Sequence, residues 1–368
     1  MSTTIYAPGR TELGGNHTDH NCGKVLAAPV NLRTTAVVSK RDDSLVVFDS
    51  KGFGKTEVNL DSLEIRTEEA GTTAALIRGV AAGFVKRGGK VGGFEASVSS
   101  TVFAGSGLSS SASVEILIGR IFNGLYENSF SQVELAIIGQ EAERNYFGKP
   151  CGLMDQLACA SSGIVKIDFK EPLKPEITQI DRRFEDFGYS LIIVNTGGNH
   201  ANLTADYAAI PNEMKAVASF FGKDTLRSVD RKLFMLELPE LKKRIENDRA
   251  ILRAIHYFEE NDRVDCMAEA LQNGSFDRYL EIVDECGKSS ISMLQNAYSP
   301  LHLRNQEITL ALSVTETMLG KKGACRLQGG GFAGTIQAYV PVDCVASYRE
   351  GIEKIFGKGS SALITLGG

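Results

Sequence analysis

The chain has 368 residues, of which 43% are hydrophobic and 23% charged, with a net charge of −5. That length holds one large or two medium domains with an ample core, and the negative balance excludes nucleic acid or an anionic membrane surface as the main partner. Seven cysteines without any Cys-x-x-Cys pair argue against zinc and thioredoxin-like sites; residues 1–10 lack the apolar core of a signal peptide, and no apolar run is long enough for a bilayer, so a soluble, cytoplasmic protein is expected, by default a monomer.

Residues 9–21 read Gly-Arg-Thr-Glu-Leu-Gly-Gly-Asn-His-Thr-Asp-His-Asn, a glycine-broken loop. It gathers a cation, carboxylates, imidazoles and amides, groups that donate and accept in fixed pairs and suit neighbouring sugar hydroxyls. A polar surface turn fits the same residues. Residues 25–39 read as a strand, 41–44 as a turn and 45–48 as a second strand. Helical spacing over 74–87 ends at Gly88-Gly89, as a helix C-terminus should. Residues 94–99 alternate and lead into Gly105-Ser106-Gly107-Leu108-Ser109-Ser110-Ser111-Ala112.

After that segment Val114, Leu117, Ile118, Ile121, Phe122 and Leu125 recur at steps of three and four, the buried face of a helix. Glycines let the backbone approach a ligand closely, and a helix start offers free N–H groups and a positive dipole end to an anion. The segment reads as a phosphate cradle, or as a Gly/Ser loop with an ordinary serine N-cap. It is not a Walker A loop, since no lysine stands at Ser110, and Ser110 also takes the third glycine position of the dinucleotide fingerprint. The His-Arg-Asp and Asp-Phe-Gly elements of protein kinases are absent.

Ser131 caps a helix running through Ala142. In Cys151-Gly152-Leu153-Met154-Asp155-Gln156 the acid stands among apolar neighbours. Such an Asp is more often an N-cap or core hydrogen-bonder; facing a reacting hydroxyl it would accept a proton. Proline-marked residues 171–176 precede a buried strand at 189–194. Helices are expected over 237–261, 265–274 and 276–285, then strand, glycine turn and strand over 324–340. Strands and helices interleave without a βαβ rhythm, so the fold class is α+β in two domains. Gly329-Gly330-Gly331-Phe332-Ala333-Gly334 lets backbone approach a ligand, or simply turns a hairpin.

Taken in order, these segments resemble the sugar-kinase branch of the GHMP kinases. That family's first motif runs Gly-Arg-Val-Asn-Leu-Ile-Gly-Glu-His-Thr-Asp-Tyr-Asn, against residues 9–21 here. Its Gly-x-Gly-Leu-Ser-Ser-Ser-Ala-Ser is matched by residues 105–113, its Cys-Gly-Ile-Met-Asp-Gln by 151–156, and its Gly-Gly-Gly-Phe-Gly-Gly by 329–334. The resemblance implies an N-terminal ATP-binding domain over 1–180 and a ferredoxin-like C-terminal domain over 181–368, with the active site between them. It implies phosphoryl transfer from ATP to the anomeric hydroxyl of galactose, with Mg²⁺ as cofactor. Asp155 matches the catalytic base and Arg10 the cation that orients it. Gly105, Ser106, Gly107, Leu108, Ser109, Ser110 and Ser111 match the ATP phosphate loop, and Ser111 and Glu143 the magnesium ligands. Asn16, His17, Thr18 and Asp19 sit where the family grips the sugar, and Tyr207 matches its sugar-contacting tyrosine.

Two positions depart from the motif. Asn16 replaces a Glu that contacts the exocyclic hydroxymethyl, and His20 replaces a Tyr. Asn tolerates a carboxylate where Glu repels one, which leaves open a kinase for galacturonate or an amino galactose; Asn16→Glu is then expected to favour galactose. A non-catalytic galactose sensor is the other alternative, against which the intact Ser109-Ser110-Ser111-Ala112 and Asp155 stand.

Overall fold

A computed structural model describes residues 2–102, 107–198 and 203–367. Eleven strands among the described residues form two sheets. The first holds β1 (Ser2–Gly14), β2 (Lys24–Lys40), β3 (Leu45–Ser50), β4 (Gly54–Asn59), β5 (Phe94–Ser100), β6 (Ile164–Asp168) and β7 (Glu176–Ile180). Its order is β4-β3-β5-β2-β6-β7, with β1 on β2. The 17-residue β2 organises it: β1 lies antiparallel along its length, with Ser2 opposite Ser39 and Gly14 opposite Leu26. On the other edge β5 takes the end from Thr34 and β6 the stretch from Lys24 to Ala27. Only β3 and β5 run parallel.

Helices α1 (Thr73–Lys86), α2 (Ser110–Leu125), α3 (Gln132–Ala142) and α4 (Met154–Ala160) cover this sheet. Ile77, Val80, Phe84, Ile116, Leu117, Ile121 and Phe122 meet Val38, Phe48, Phe94 and Val98 in one core. The expected start of α3 is a capping box: the Glu134 amide donates to the Ser131 hydroxyl, and Glu134 accepts from the Ser131 amide at 2.8 Å.

The second half carries α5 (Thr204–Phe220), α6 (Arg231–Leu236), α7 (Leu238–Ile245), α8 (Asp248–Gln272), α9 (Phe276–Ser289) and α10 (Glu307–Leu319) between β8 (Tyr189–Asn195) and β9 (Ala324–Gln328). Then come β10 (Thr335–Pro341), α11 (Val345–Phe356) and β11 (Ser361–Ile364). The antiparallel order β11-β8-β10-β9, with helices before β9 and before β11, is a ferredoxin-like βαββαβ arrangement. The fold is the expected α+β architecture. The first sheet ends at Ile180 and the second starts at Tyr189, yet the apolar core runs across that break. Leu13, Leu26 and Leu108 share one cluster with Val264, Met267, Ile282 and Tyr339. No helix of the described residues is long and apolar enough to cross a membrane.

Two local expectations fail for identifiable reasons. Residues 9–14 are strand, not loop. β1 is buried continuously from Tyr6's neighbour Ala7 onward because α2 and α4 contact it and α8 does too, so its sequence shows no polar–apolar alternation. The helix expected over 237–261 breaks at Glu246, which is left-handed (φ +50°), and restarts with Asn247 accepting from the Ala250 amide. It then passes through 262–264 without a break, and Asn261 there ties it to β2 by accepting from Lys24 N at 2.7 Å.

Candidate active site

β1 delivers Arg10 to the junction of the two sheets. A Cβ on Gly9 would lie 2.8 Å from Leu108 O, so the glycine lets the loop before α2 rest on the strand. The Arg10 amide donates to that carbonyl at 3.1 Å. The guanidinium reaches further: Nε and Nη2 each lie 2.8 Å from Asp155 Oδ1, and Nη1 donates to Gly107 O.

Gly107 and Ser109 are both left-handed (φ +67° and +54°), which turns the loop sharply into α2. Ser109 stands at the N-cap position, but its hydroxyl caps nothing. It donates instead to Asp155 Oδ2 at 2.5 Å. Asp155 lies in the first turn of α4. Burial alone would raise its pKa; the Arg10 charge and the Ser109 hydroxyl outweigh that and hold it below the usual carboxylate range. An ionised carboxylate thus faces the start of α2. Leu108 is buried in the apolar cluster. Gly105 and Ser106 lie outside the described residues.

In the first turn of α2, the Ser111 hydroxyl donates to Glu143 Oε1 at 2.9 Å. Glu143 opens a single π turn, Glu143–Phe147, that ends α3, a feature frequent at functional sites. Lys149 Nζ reaches the same oxygen at 2.9 Å, and Gln156 Nε2 donates at 2.9 Å both to Glu143 and to the buried Glu115. Among the described residues no group of three or more His, Cys, Asp or Glu could hold a metal by itself. One hydroxyl and one carboxylate from neighbouring elements suit a hard cation that takes its other ligands from phosphates and water.

Residues 15–22 fold against α8. The amides of Gly15 and Asn16 donate to Glu260 Oε1 at 3.0 and 3.3 Å. Burial would raise the Glu260 pKa, but His256 and Arg263 hold it down at about 2. Three of the expected sugar residues converge on successive glycine carbonyls. Asn16 Nδ2 donates to Gly329 O at 2.7 Å, His17 Nε2 lies 3.0 Å from Gly330 O, and Tyr207 Oη donates to Gly331 O at 2.7 Å. Phe332 anchors that turn in the core of α5–α8 beside Met214, Phe234 and Tyr257.

His20 Nε2 lies 3.4 Å from His17 Nδ1, and Asn21 donates to His20 Nδ1. With Nδ1 of each ring an acceptor, both imidazoles carry their proton on Nε2. The Thr18 hydroxyl sits between the carbonyls of Gly15 and Lys24, 2.9 and 2.6 Å away, and is wholly buried; it shapes the loop. Asp19 packs against Gly152, where a Cβ would collide with its carboxylate. Burial first, then the charges of Asp155 and Glu12, push the Asp19 pKa up to about 7.

Sequence reading missed the residues that join the halves. Gln328 Nε2 donates to Gly107 O at 2.9 Å, tying β9 to the phosphate loop. Gln337 on β10 donates to Glu12 O at 2.6 Å and reaches Thr11 Oγ1 at 2.7 Å. Glu12, Glu115, Lys149, Gln156, Glu260 and Asn296 also lie in the polar network around the site. Gln328 directly precedes the glycine run and Gln156 directly follows Asp155, so adjacency was the available signal for those two; nothing in the sequence pointed to Glu260 or Asn296.

Comparison with known proteins bears on this geometry. A model described as the GHMP kinases N terminal domain matches residues 75–163, and one described as the galactokinase galactose-binding signature matches residues 2–40. Among solved structures, Lactococcus lactis galactokinase complexed with galactose superposes with a TM-score of 0.86 at 24% identity, covering 100% of this chain and 94% of that one. Methanococcus jannaschii mevalonate kinase gives 0.71 at 15% identity, covering 100% and 99%. A D-glycero-D-manno-heptose 1-phosphate kinase from Bacteriodes thetaiotaomicron gives 0.65 at 15%, covering 100% and 97%. The signature spans Arg10, Asn16, His17, Thr18 and Asp19, and the N-terminal model spans Ser109, Ser111, Glu143 and Asp155. The N-terminal part of the chain thus matches two models of the GHMP kinases, one of them the galactokinase signature, and the whole chain shares the fold of these kinases.

Proposed function

We propose that this chain is an ATP-dependent galactokinase, transferring the γ-phosphoryl group of ATP to the anomeric hydroxyl of galactose to give galactose 1-phosphate. The observation that carries the reading is the Arg10–Asp155 pair. A half-buried, ionised carboxylate is clamped beside the loop before α2 by Arg10, which lies in the segment matching the galactose-binding signature.

In this reading Asp155 Oδ2 exchanges the Ser109 hydroxyl for the anomeric hydroxyl and takes its proton. The sugar oxygen forms the new bond to the γ-phosphorus as the bond to the β-phosphate oxygen breaks, and ADP leaves. Arg10 keeps Asp155 ionised and steadies charge developing on the transferring group. The loop through Ser109, Ser110 and Ser111 and the first N–H groups of α2 receive the phosphates. Ser111 and Glu143 would hold Mg²⁺, which when bound neutralises phosphate charge. Asp19 accepts from sugar hydroxyls, while Asn16, His17, Thr18 and Tyr207 hold the loop and the glycine turn that shape the sugar pocket. Residues 1–180 carry the nucleotide side and 181–368 close the site, in a cytoplasmic enzyme.

The test is ADP release from ATP·Mg²⁺ with galactose, galacturonate, galactosamine, N-acetylgalactosamine and glucose. Turnover is expected with galactose. Silence on galactose together with turnover of another sugar would overturn the assignment.

A further inference from the structure

We infer that Glu12 is a positioning residue for the sugar site, acting through the side-chain amide of Asn16, and that positions 12 and 16 form one coupled pair. The inference rests on the galactokinase reading and extends it. Glu12 and Asn16 are buried, on β1 and just beyond its end. Glu12 Oε1 accepts from Asn16 Nδ2 at 3.0 Å and from Arg326 Nη2 at 2.7 Å. The second Asn16 N–H goes to Gly329 O, and Asn16 Oδ1 accepts from Asn296 Nδ2 at 2.9 Å.

These contacts permit one amide orientation. A flip would aim Oδ1 at the Glu12 carboxylate and the Gly329 carbonyl, and an NH₂ at the Asn296 NH₂. It would lose three buried hydrogen bonds, each more costly to leave unmade than it is favourable when made. The orientation matters because Asn16 is the hinge between loop and glycine turn. Its backbone is held by Glu260 and by His256 Nε2, 2.9 Å from Asn16 O, and its side chain holds Gly329. Moving the amide would therefore move Asp19 on one side and the glycine carbonyls on the other.

The motif comparison points to the same coupling. Where this chain has Glu12 and Asn16, the resembling motif has Asn and Glu: acid and amide are exchanged. Either arrangement can form one acid–amide hydrogen bond across the four-residue interval. Here the carboxylate lies on the strand against Arg326, whose side chain is completely buried. This geometry leads to a different expectation for Asn16→Glu. With Glu12 in place, a second carboxylate at 16 would meet it in a buried site and lose the bond to Gly329 O, which is repulsive rather than a retuning of sugar preference.

The experiment uses the full chain with Glu12→Asn, Asn16→Glu, the double exchange, and the shape-conserving Glu12→Gln. Galactose and ATP parameters and the melting temperature are read for each. Each exchange single should lower kcat/KM for galactose about ten- to hundredfold, the worth of one hydrogen bond to a charged group, with the ATP KM within about twofold. Glu12→Gln should raise the galactose KM by about fivefold to tenfold, the cost of one neutral hydrogen bond in exchange for a charged one. The double exchange should recover most of the loss and melt above both singles. A double exchange no better than the worse single, or singles indistinguishable from wild type, overturns the coupling. Wild type silent on galactose counts against the galactokinase reading alone, and the coupling is then decided by the four melting temperatures.

Discussion

Ser109 and Asp155 are locked together: the serine hydroxyl donates at 2.5 Å to Oδ2, the one oxygen of the carboxylate that Arg10 does not grip. The phosphate loop thus occupies the place a substrate hydroxyl needs on the base. Removing either partner separates protection from chemistry. Asp155→Asn should lower kcat by about 10²–10⁴-fold, the usual worth of a general base, while galactose still binds in calorimetry; undiminished turnover would exclude Asp155 as base. Ser109→Ala removes a hydrogen bond to the ionised form, so the Asp155 pKa should rise. The acid limb of kcat/KM against pH should then move to higher pH, and an unmoved limb would show that the serine does not tune the base.

Gly152 illustrates a glycine required by its neighbour. A Cβ there would enter the Asp19 carboxylate, so Gly152→Ala must displace the acid or the start of α4. Overpacking of this kind costs about 1–3 kcal/mol. The galactose KM is expected to rise about tenfold or more, with the ATP KM little changed. Equal effects on both substrates would place the strain on Asp155 instead.

The sequence displayed the elements whose packing is one-sided. β3, β5, α1, α2, α3 and the second half of β2 have a buried and an exposed face, and their periodicity shows it; β9 and β10 are buried throughout and were legible from the glycine run between them. β1 does not, since its residues from Ala7 to Gly14 are buried on both sides; Arg10 and Glu12 therefore looked like loop residues. Asp155 and Arg10 could be paired through the family resemblance, because each falls in a motif. Asn16, His17 and Tyr207 were expected on the sugar, and the fold turns all three onto the carbonyls of Gly329, Gly330 and Gly331. That convergence joins residues 124 to 313 positions apart and has no local signature. Glu260 was illegible for the same reason, since it acts on backbone of the other half of the chain; Gln328, which does the same, had only its place beside the glycine run to mark it.

Gln328 offers a test of that joining. Its amide holds Gly107 O, the same carbonyl that Arg10 Nη1 holds, and its Oε1 accepts from Thr11 Oγ1 at 3.0 Å. Gln328→Ala would release the loop from β9 while leaving Arg10 and Asp155 in place. The ATP KM should rise about tenfold, in line with losing one or two buried hydrogen bonds, and kcat should fall because phosphates and base lose their fixed relation. An effect confined to the galactose KM would assign Gln328 to the sugar side.

Asp19 and the two imidazoles of the sugar loop pull stability in opposite directions with pH. The Asp19 carboxyl is raised from 3.8 to about 7, by burial first and then by Asp155 and Glu12. The native protein therefore binds this proton more tightly than the unfolded chain, and the stability it contributes, complete below about pH 4, is lost as pH rises through about 7. His17 and His20 are lowered from 6.5 to about 4 and about 3, chiefly by burial. Their contribution is complete above about pH 6.5 and is lost as pH falls toward those values. Asp19→Asn should therefore melt higher than wild type at pH 8, with the gap closing toward pH 4. Galactose hydroxyls donate best to the ionised acid, so the rise in melting temperature on adding galactose should grow from pH 6 to pH 8 in wild type and stay flat in Asp19→Asn. Parallel curves for the two proteins would mean that Asp19 is ionised throughout and that the sugar is held by other groups.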